Sequence, residues 1–292
     1  MTILEPDPSA AAASLLSLEL GAIELGVSDL PRSVEFYRTV LGLEVLSQTR
    51  HRTELGTSER SLVVLHALAE PVPAQRPATG LYHFALLLPS RADLGRFVRR
   101  VAELGVRIGA SDHLVSEAVY LHDPDGHGIE VYRDRPRGEW TFLPGPHGPQ
   151  VQMATDPLDV QGVLSSAGDT RWTGLPSGTR MGHFHFKVSD QGAARDFYRQ
   201  LGFERMTEFP GASFLAVGGY HHHLGLNVWE SRGAAPPAPH TPALRLAHFT
   251  LKPGEFASLL ARLQGVGLPL DLGEGGLELG DPSGNRLHFS PR

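Results

Sequence analysis

The chain has 292 residues, with 26 Lys and Arg against 32 Asp and Glu and a formal charge of −6; at roughly 100–200 residues per domain, two domains are expected. Hydrophobic residues at 41% and charged residues at 20% exclude a largely disordered chain, and an acidic balance without a basic stripe argues against a nucleic-acid binder. The absence of cysteine excludes disulfides, thiolate metal sites and thiol nucleophiles.

Residues 1–18 carry no pattern that fixes an element. Alternation from Ala22 to Val27 predicts a strand. Val27-Ser28-Asp29 is then followed by Phe36-Tyr37-Arg38 and Leu41-Gly42-Leu43, a helix closed by a glycine suited to the left-handed C′ position. A second strand carries His83-Phe84, and Leu94, Phe97, Val101 and Leu104 mark one helical face behind Asp93 as the expected N-cap. Short strands follow, ending in the turn Asp123-Pro124-Asp125-Gly126 and a last strand with Glu130. Residues 136–179, rich in Pro and Gly, join the two halves.

The pattern then repeats. Gly182 to Val188 reads as a strand, and Val188-Ser189-Asp190, Phe197-Tyr198-Arg199 and Leu201-Gly202-Phe203 return in the same order. After a Pro/Ala connector over 231–242, His248-Phe249 matches His83-Phe84, and Asp281-Pro282-Ser283-Gly284 matches the earlier turn. The chain therefore holds four β-α-β-β-β modules of about 50 residues, beginning near residues 19, 81, 180 and 244. Fifteen histidines point to metal or proton chemistry. No apolar run reaches the ~18–20 residues that span a bilayer, and Glu5 and Asp7 stand where a secretory signal carries basic residues. A cytoplasmic protein is the expectation.

Four such modules ending in Asp-Pro-Asp-Gly-x-x-x-Glu resemble the vicinal oxygen chelate superfamily, which includes glyoxalase I, bleomycin- and fosfomycin-resistance proteins and extradiol dioxygenases. The resemblance covers residues 19–135 and 180–290, taken as two domains of two modules each around a linker at 136–179. It implies an α+β fold in which paired modules form cupped mixed sheets around a divalent metal, with ligands on first and last strands. First-strand positions are Ala22, His83, His183 and His248; last-strand positions are Glu130 and His288. Pairing of consecutive modules would leave His183, His248 and His288 as the ligand set. Pairing of the second and third modules would join His83, Glu130 and His183, two imidazoles and a carboxylate of the kind that binds Fe(II) with positions left open.

The second pairing is favoured by further resemblance. Tyr220-His221-His222-His223-Leu224 is similar to the His-His-x-Leu stretch of extradiol dioxygenases, which implies His222 as the acid–base residue. The segment from Asp112-His113 through Tyr120 to Glu130 resembles their tyrosine-and-glutamate segment, implying Tyr120 as a donor to the substrate oxygen and His113 as a pocket residue. The reversed module order resembles hydroquinone-type dioxygenases. His185 shares the face of His183, and His248 with His288 reads as a vestige. The leading expectation is a catechol 2,3-dioxygenase-like enzyme of aromatic-ring catabolism. It would use Fe(II), with Mn(II) suiting the same donors, take a small aromatic diol and O₂, and release a ring-opened semialdehyde; the superfamily habit implies a homo-oligomer. The alternatives are a glyoxalase- or fosfomycin-type metalloenzyme, for which no basic cluster stands out, and a metal-free ligand-sequestering protein of the bleomycin-resistance kind.

Overall fold

Asp29 ends the first strand, β1 (Glu19–Val27), and caps the first helix, α1 (Leu30–Thr39), accepting a 3.0 Å bond from the Arg32 amide. The computed structural model describes residues 18–292 except 146, 147, 266, 268 and 274, so Glu5 and Asp7 lie outside the described residues. The first module continues with β2 (Glu44–Gln48), β3 (Arg52–Thr57) and β4 (Arg60–Ala67). The second comprises β5 (Gly80–Leu87), α2 (Arg91–Glu103), β6 (Gly109–Asp112), β7 (Ser116–His122) and β8 (Gly128–Asp134). Ser90 caps α2, not Asp93: the Asp93 amide donates to Ser90 Oγ at 3.2 Å, and the Ser90 hydroxyl in turn donates to the Asp93 carboxylate. Leu104 falls past the end of that helix and is exposed, while Leu94, Phe97 and Val101 are buried.

The described part of the joining segment carries regular structure. It contains β9 (Phe142–Leu143), β10 (Gln150–Val151) and α3 (Val160–Ser166), and α3 packs on α2 through the buried Val163. The third module is β11 (Arg180–Lys187), α4 (Gln191–Gln200), β12 (Glu204–Phe209), β13 (Ala212–Ala216) and β14 (Leu224–Asn227). The fourth is β15 (Ala243–Leu251), α5 (Pro253–Gly265), β16 (Asp271–Gly273), β17 (Gly276–Gly280) and β18 (Arg286–Pro291). Gly42 and Gly202 end their helices at φ +74° and +101°, the conformation their position predicts.

Two eight-stranded mixed sheets result, and each takes one module from either half of the chain. β1 pairs antiparallel with β15, joining modules one and four; β5 pairs antiparallel with β11, joining modules two and three. The sheets share one apolar core, where Phe184 meets Phe249 edge-on at 5.5 Å and Tyr37 stacks on Phe84 at 6.5 Å. Strand alternation sends Phe84, Leu86, Phe184 and Phe186 to that core and His83, Ala85, His183 and His185 to the opposite face. Register shifts at Gly182 and Tyr82 bracket this stretch and reverse the alternation, returning Met181 and Leu81 to the core. Only glycine fits at 182, since a Cβ there would lie 2.0 Å from the Tyr132 hydroxyl.

The repeated Phe-Tyr-Arg and Asp-Pro motifs meet across the sheets. Tyr37 Oη donates to Asp123 Oδ2 at 3.1 Å, and Tyr198 Oη to Asp281 Oδ2 at 3.1 Å, each linking a module of one sheet to a module of the other. The second oxygen of each aspartate accepts two amides of its own turn. Tyr37→Phe and Tyr198→Phe should each cost about 1.5–3 kcal/mol in urea unfolding, the usual loss of a hydrogen bond to a buried charge. The two losses should add, because the bonds share no partner; a double variant as stable as either single one would contradict the lock.

Candidate metal centre

Ala85 lies beside His183 of β11 on one side and Glu130 of β8 on the other, and His83 stands two residues along the same strand. The small methyl of Ala85 leaves the three polar side chains free to converge above it. Glu130 Oε2 is 3.0 Å from His83 Nε2 and 3.0 Å from His183 Nε2, and the two nitrogens are 3.2 Å apart. Among the described residues this is the single group of three or more His, Asp or Glu whose donor atoms come together in this way. Glu130 is 2% exposed, His183 1% and His83 7%, so the group is essentially desolvated. Burial alone would raise the Glu130 carboxyl, yet His183 and His83 together hold it well below the usual carboxylate range. Burial also lowers the His83 imidazole against the pull of Glu130. His183 Nδ1 is buried without a hydrogen-bond partner, so its ring is held through Nε2 against Glu130 and by packing against Tyr132 at 5.1 Å and His222 at 4.1 Å. Two nitrogens and one oxygen with lone pairs aimed at a common point suit a divalent cation of the Fe(II) type.

The group forms the floor of a cavity of about 660 Å³. His222 stands in its wall, ahead of β14 in a turn. Its Nδ1 is 2.8 Å from His221 Nδ1, and His221 Nε2 is 2.8 Å from Asp134 Oδ1. The carboxylate must accept from His221 Nε2–H, so His221 Nδ1 accepts from His222 Nδ1–H, and His222 Nε2 is left as the basic nitrogen. Burial, then His183 and His221, push the His222 imidazole well below its ordinary value. Tyr120 faces Glu130 across β7 and β8, and its hydroxyl lies 2.5 Å from His113 Nε2, while His113 Nδ1 donates to the Ala154 carbonyl at 2.6 Å. Burial and Glu130 push the Tyr120 hydroxyl well above its ordinary value. His185 lines the cavity with its Nε2 accepting from Asn227 Nδ2 at 3.0 Å.

The structure thus brings His83, Glu130, His183, His222, Tyr120 and His113 into one cavity. It also adds residues that the sequence reading did not single out. Asp134 and Tyr132 share the Glu130 face by strand alternation, a signal present in Glu130-x-Tyr132-x-Asp134. Met153, Ala154 and Thr155 of the joining segment also line the cavity, and no periodicity announces them.

The other cup departs from expectation. Ala22 was to leave the first module without a polar contribution, but Glu24, on the same strand face, reaches the fourth module. Glu24 Oε1 is 2.8 Å from His248 Nε2 and its Oε2 is 2.6 Å from His66 Nε2, while His248 and His288 meet through their Nδ1 atoms at 3.2 Å. His183 therefore lies in a different sheet from His248 and His288, and the alternative ligand set built on those three is dismissed. Each Glu24 oxygen is engaged by a different imidazole, so the four side chains form a chain of hydrogen bonds and not a converging donor set.

Comparison with known proteins agrees with this architecture. Residues 19–131 and 180–289 match the Glyoxalase/Bleomycin resistance protein/Dioxygenase superfamily, to which the chain belongs. A catechol-2,3-dioxygenase of Bacillus subtilis (strain 168) is 43% identical over 279 residues, 92% of this chain and 96% of the relative, and the chain is an enzyme of that dioxygenase kind. A proposed dioxygenase from Bacillus subtilis subsp. subtilis str. 168 superposes with a TM-score of 0.60 at 12% identity, over 94% of this chain and 84% of that one. Glyoxalase I of Zea mays superposes with a TM-score of 0.56 at 14% identity, over 94% and 93%. At such identities these two structures speak for the fold alone. Among the described residues no helix is long and apolar enough to cross a membrane.

The hydrogen bond with His248, joined by His66 against the opposing effect of burial, holds the Glu24 carboxyl at about 2, down from an ordinary 4.5. A folded value below the unfolded one gives stabilisation that is complete above about pH 4.5 and is lost as the pH falls toward 2. Glu24→Gln should therefore cost about 1–2 kcal/mol near pH 6, after allowance for solvent screening. In thermal melts from pH 6 to pH 3 that gap should narrow; a constant gap would mean that Glu24 is not the titrating partner.

Proposed function

We propose that this enzyme is an Fe(II)-dependent extradiol dioxygenase that opens a catechol-type ring beside its two hydroxyls and releases a semialdehyde. The observation that carries the reading is the buried His83–Glu130–His183 group, its donor atoms 3.0–3.2 Å apart on the floor of a cavity walled by proton-transfer groups. His83, His183 and Glu130 would hold the metal, and a set of two imidazoles and one carboxylate leaves coordination positions for other ligands. Bound there, Fe(II) supplies an electron path between a chelated diol and O₂, and Mn(II) suits the same donors.

The chain's own groups manage protons and position. His222, kept neutral by burial and aligned by His221 and Asp134, is suited to take a diol proton at Nε2 and to return it later. His113, whose Nδ1–H donates to the Ala154 carbonyl, accepts the Tyr120 O–H at Nε2. The Tyr120 oxygen is then left to accept from a substrate hydroxyl. The cavity's enclosing aromatic residues exclude water and favour a flat ring.

Anaerobic loading should give about one iron per chain by metal analysis. Glu130→Ala, His83→Ala and His183→Ala should abolish retention, whereas His248→Ala should retain it. Replacing His222 by Ala should keep the iron and slow turnover by roughly 10²–10⁴; loss of iron instead would make it a ligand. Iron-loaded protein given catechol in air should consume one O₂ per ring and form a yellow semialdehyde. A muconate product, or no oxygen uptake with any catechol or hydroquinone, would end the dioxygenase reading.

A further inference from the structure

The cavity holds a charge that the metal group does not use. Only two of the chain's 26 basic residues are lysines, Lys187 and Lys252. Lys187 follows His183 and His185 on the cup face of β11 and lines the same cavity, half-buried. No basic cluster was expected in this cup, but its mouth carries both Lys187 and Arg76. Arg76 pairs with Glu230 at 3.9 Å, and Glu230 is also the one acid whose charge supports Lys187. Among the described residues, two cations thus share a single carboxylate. Burial and then Arg76 lower the Lys187 pKa, with Glu230 opposing only in part. Side chains of this kind ordinarily extend their ammonium to water over an apolar stem; here Lys187 lines the cavity whose floor is the metal group.

The rest of the mouth is aromatic. Trp229 packs on Tyr82 at 5.4 Å and on His185 at 5.6 Å, yet 53% of it remains exposed, and Phe209 beside the same opening is 41% exposed. His183 and Lys187 are four residues apart on one strand, ~13 Å between backbones at the usual rise. That interval, in a cavity of about 660 Å³, accommodates an aromatic ring on the floor and a short arm directed toward the ammonium.

We propose that Lys187, assisted by Arg76, anchors a carboxylate borne on a short arm of the diol, so that the preferred substrates are anionic catechols. This inference rests on the dioxygenase reading and adds the ring substituent to it. Glu230 offsets one of the two cations and sets the mouth at one net positive charge, enough for one carboxylate.

The test is anaerobic calorimetric titration of iron(II)-loaded protein with 3-(3,4-dihydroxyphenyl)propanoate and its methyl ester, which differ in charge while keeping the diol and the arm. The acid should bind roughly tenfold tighter than the ester, as a hydrogen bond to a charged group provides. Lys187→Met should collapse that preference toward unity, and Glu230→Gln should widen it. Equal affinity of the original chain for acid and ester would overturn the anchor while leaving the dioxygenase reading intact. A Lys187→Met variant that keeps the preference would also overturn the anchor, as would a folded one that binds neither compound. Failure of the original chain to bind any catechol would remove both readings together.

Discussion

A carboxylate with 2% exposure at the floor of a cup is the constraint from which the architecture of the site follows. An ion taken out of water costs several kcal/mol unless groups of opposite or dipolar character meet it at close range. Glu130 is met by two imidazole nitrogens on one oxygen, one from the strand of Ala85 itself and one from β11 on the far side of Ala85. The third module must therefore lie against the second. The glycine at 182 and the register shifts on either side of His183 serve the same end, holding one run of residues toward the cup while their neighbours complete the core.

The two cups show how one framework carries two chemistries. Glu24 and His66 of the first module stand where the third has His185 and Asn227, and in both cups these side chains form a pair. In one cup a carboxylate is shared out between two imidazoles on opposite oxygens, which leaves no common point for an ion. In the other, one oxygen faces both nitrogens. A single position, Ala22 in place of His183, is enough to withdraw the third donor from the first case.

Much of this was legible in the sequence because repetition exposes equivalent positions. The recurrence of Phe-Tyr-Arg and Asp-Pro-x-Gly marked four modules, and the histidines at matching places marked candidate ligands. Choosing the pairing of modules two and three needed the chemical demand for two imidazoles and a carboxylate, and resemblance of the surrounding motifs. What escaped depends on contacts across modules. Glu24 was passed over because the repeat pointed to Ala22, although both share a strand face. Asp134 and His221 acquire meaning only when the third module folds over the second. Lys187 reads as an ordinary strand-end cation until the cup encloses it, and Ser90 outranked Asp93 as a cap because the helix starts one turn earlier than its apolar face.

The pairing of the first module with the last has a consequence for how the protein is made. Glu24 and His248 are separated by 224 residues, which take about 10–45 s to synthesise at ~5–20 residues per second. During that interval β1 has emerged without its antiparallel neighbour, and its open hydrogen-bonding edge is an invitation to foreign strands. The centre closes earlier, since β11 follows β5 by half that distance or less. The strands of the metal group are all made before the fourth module, so its cup can close while the first module still lacks its partner.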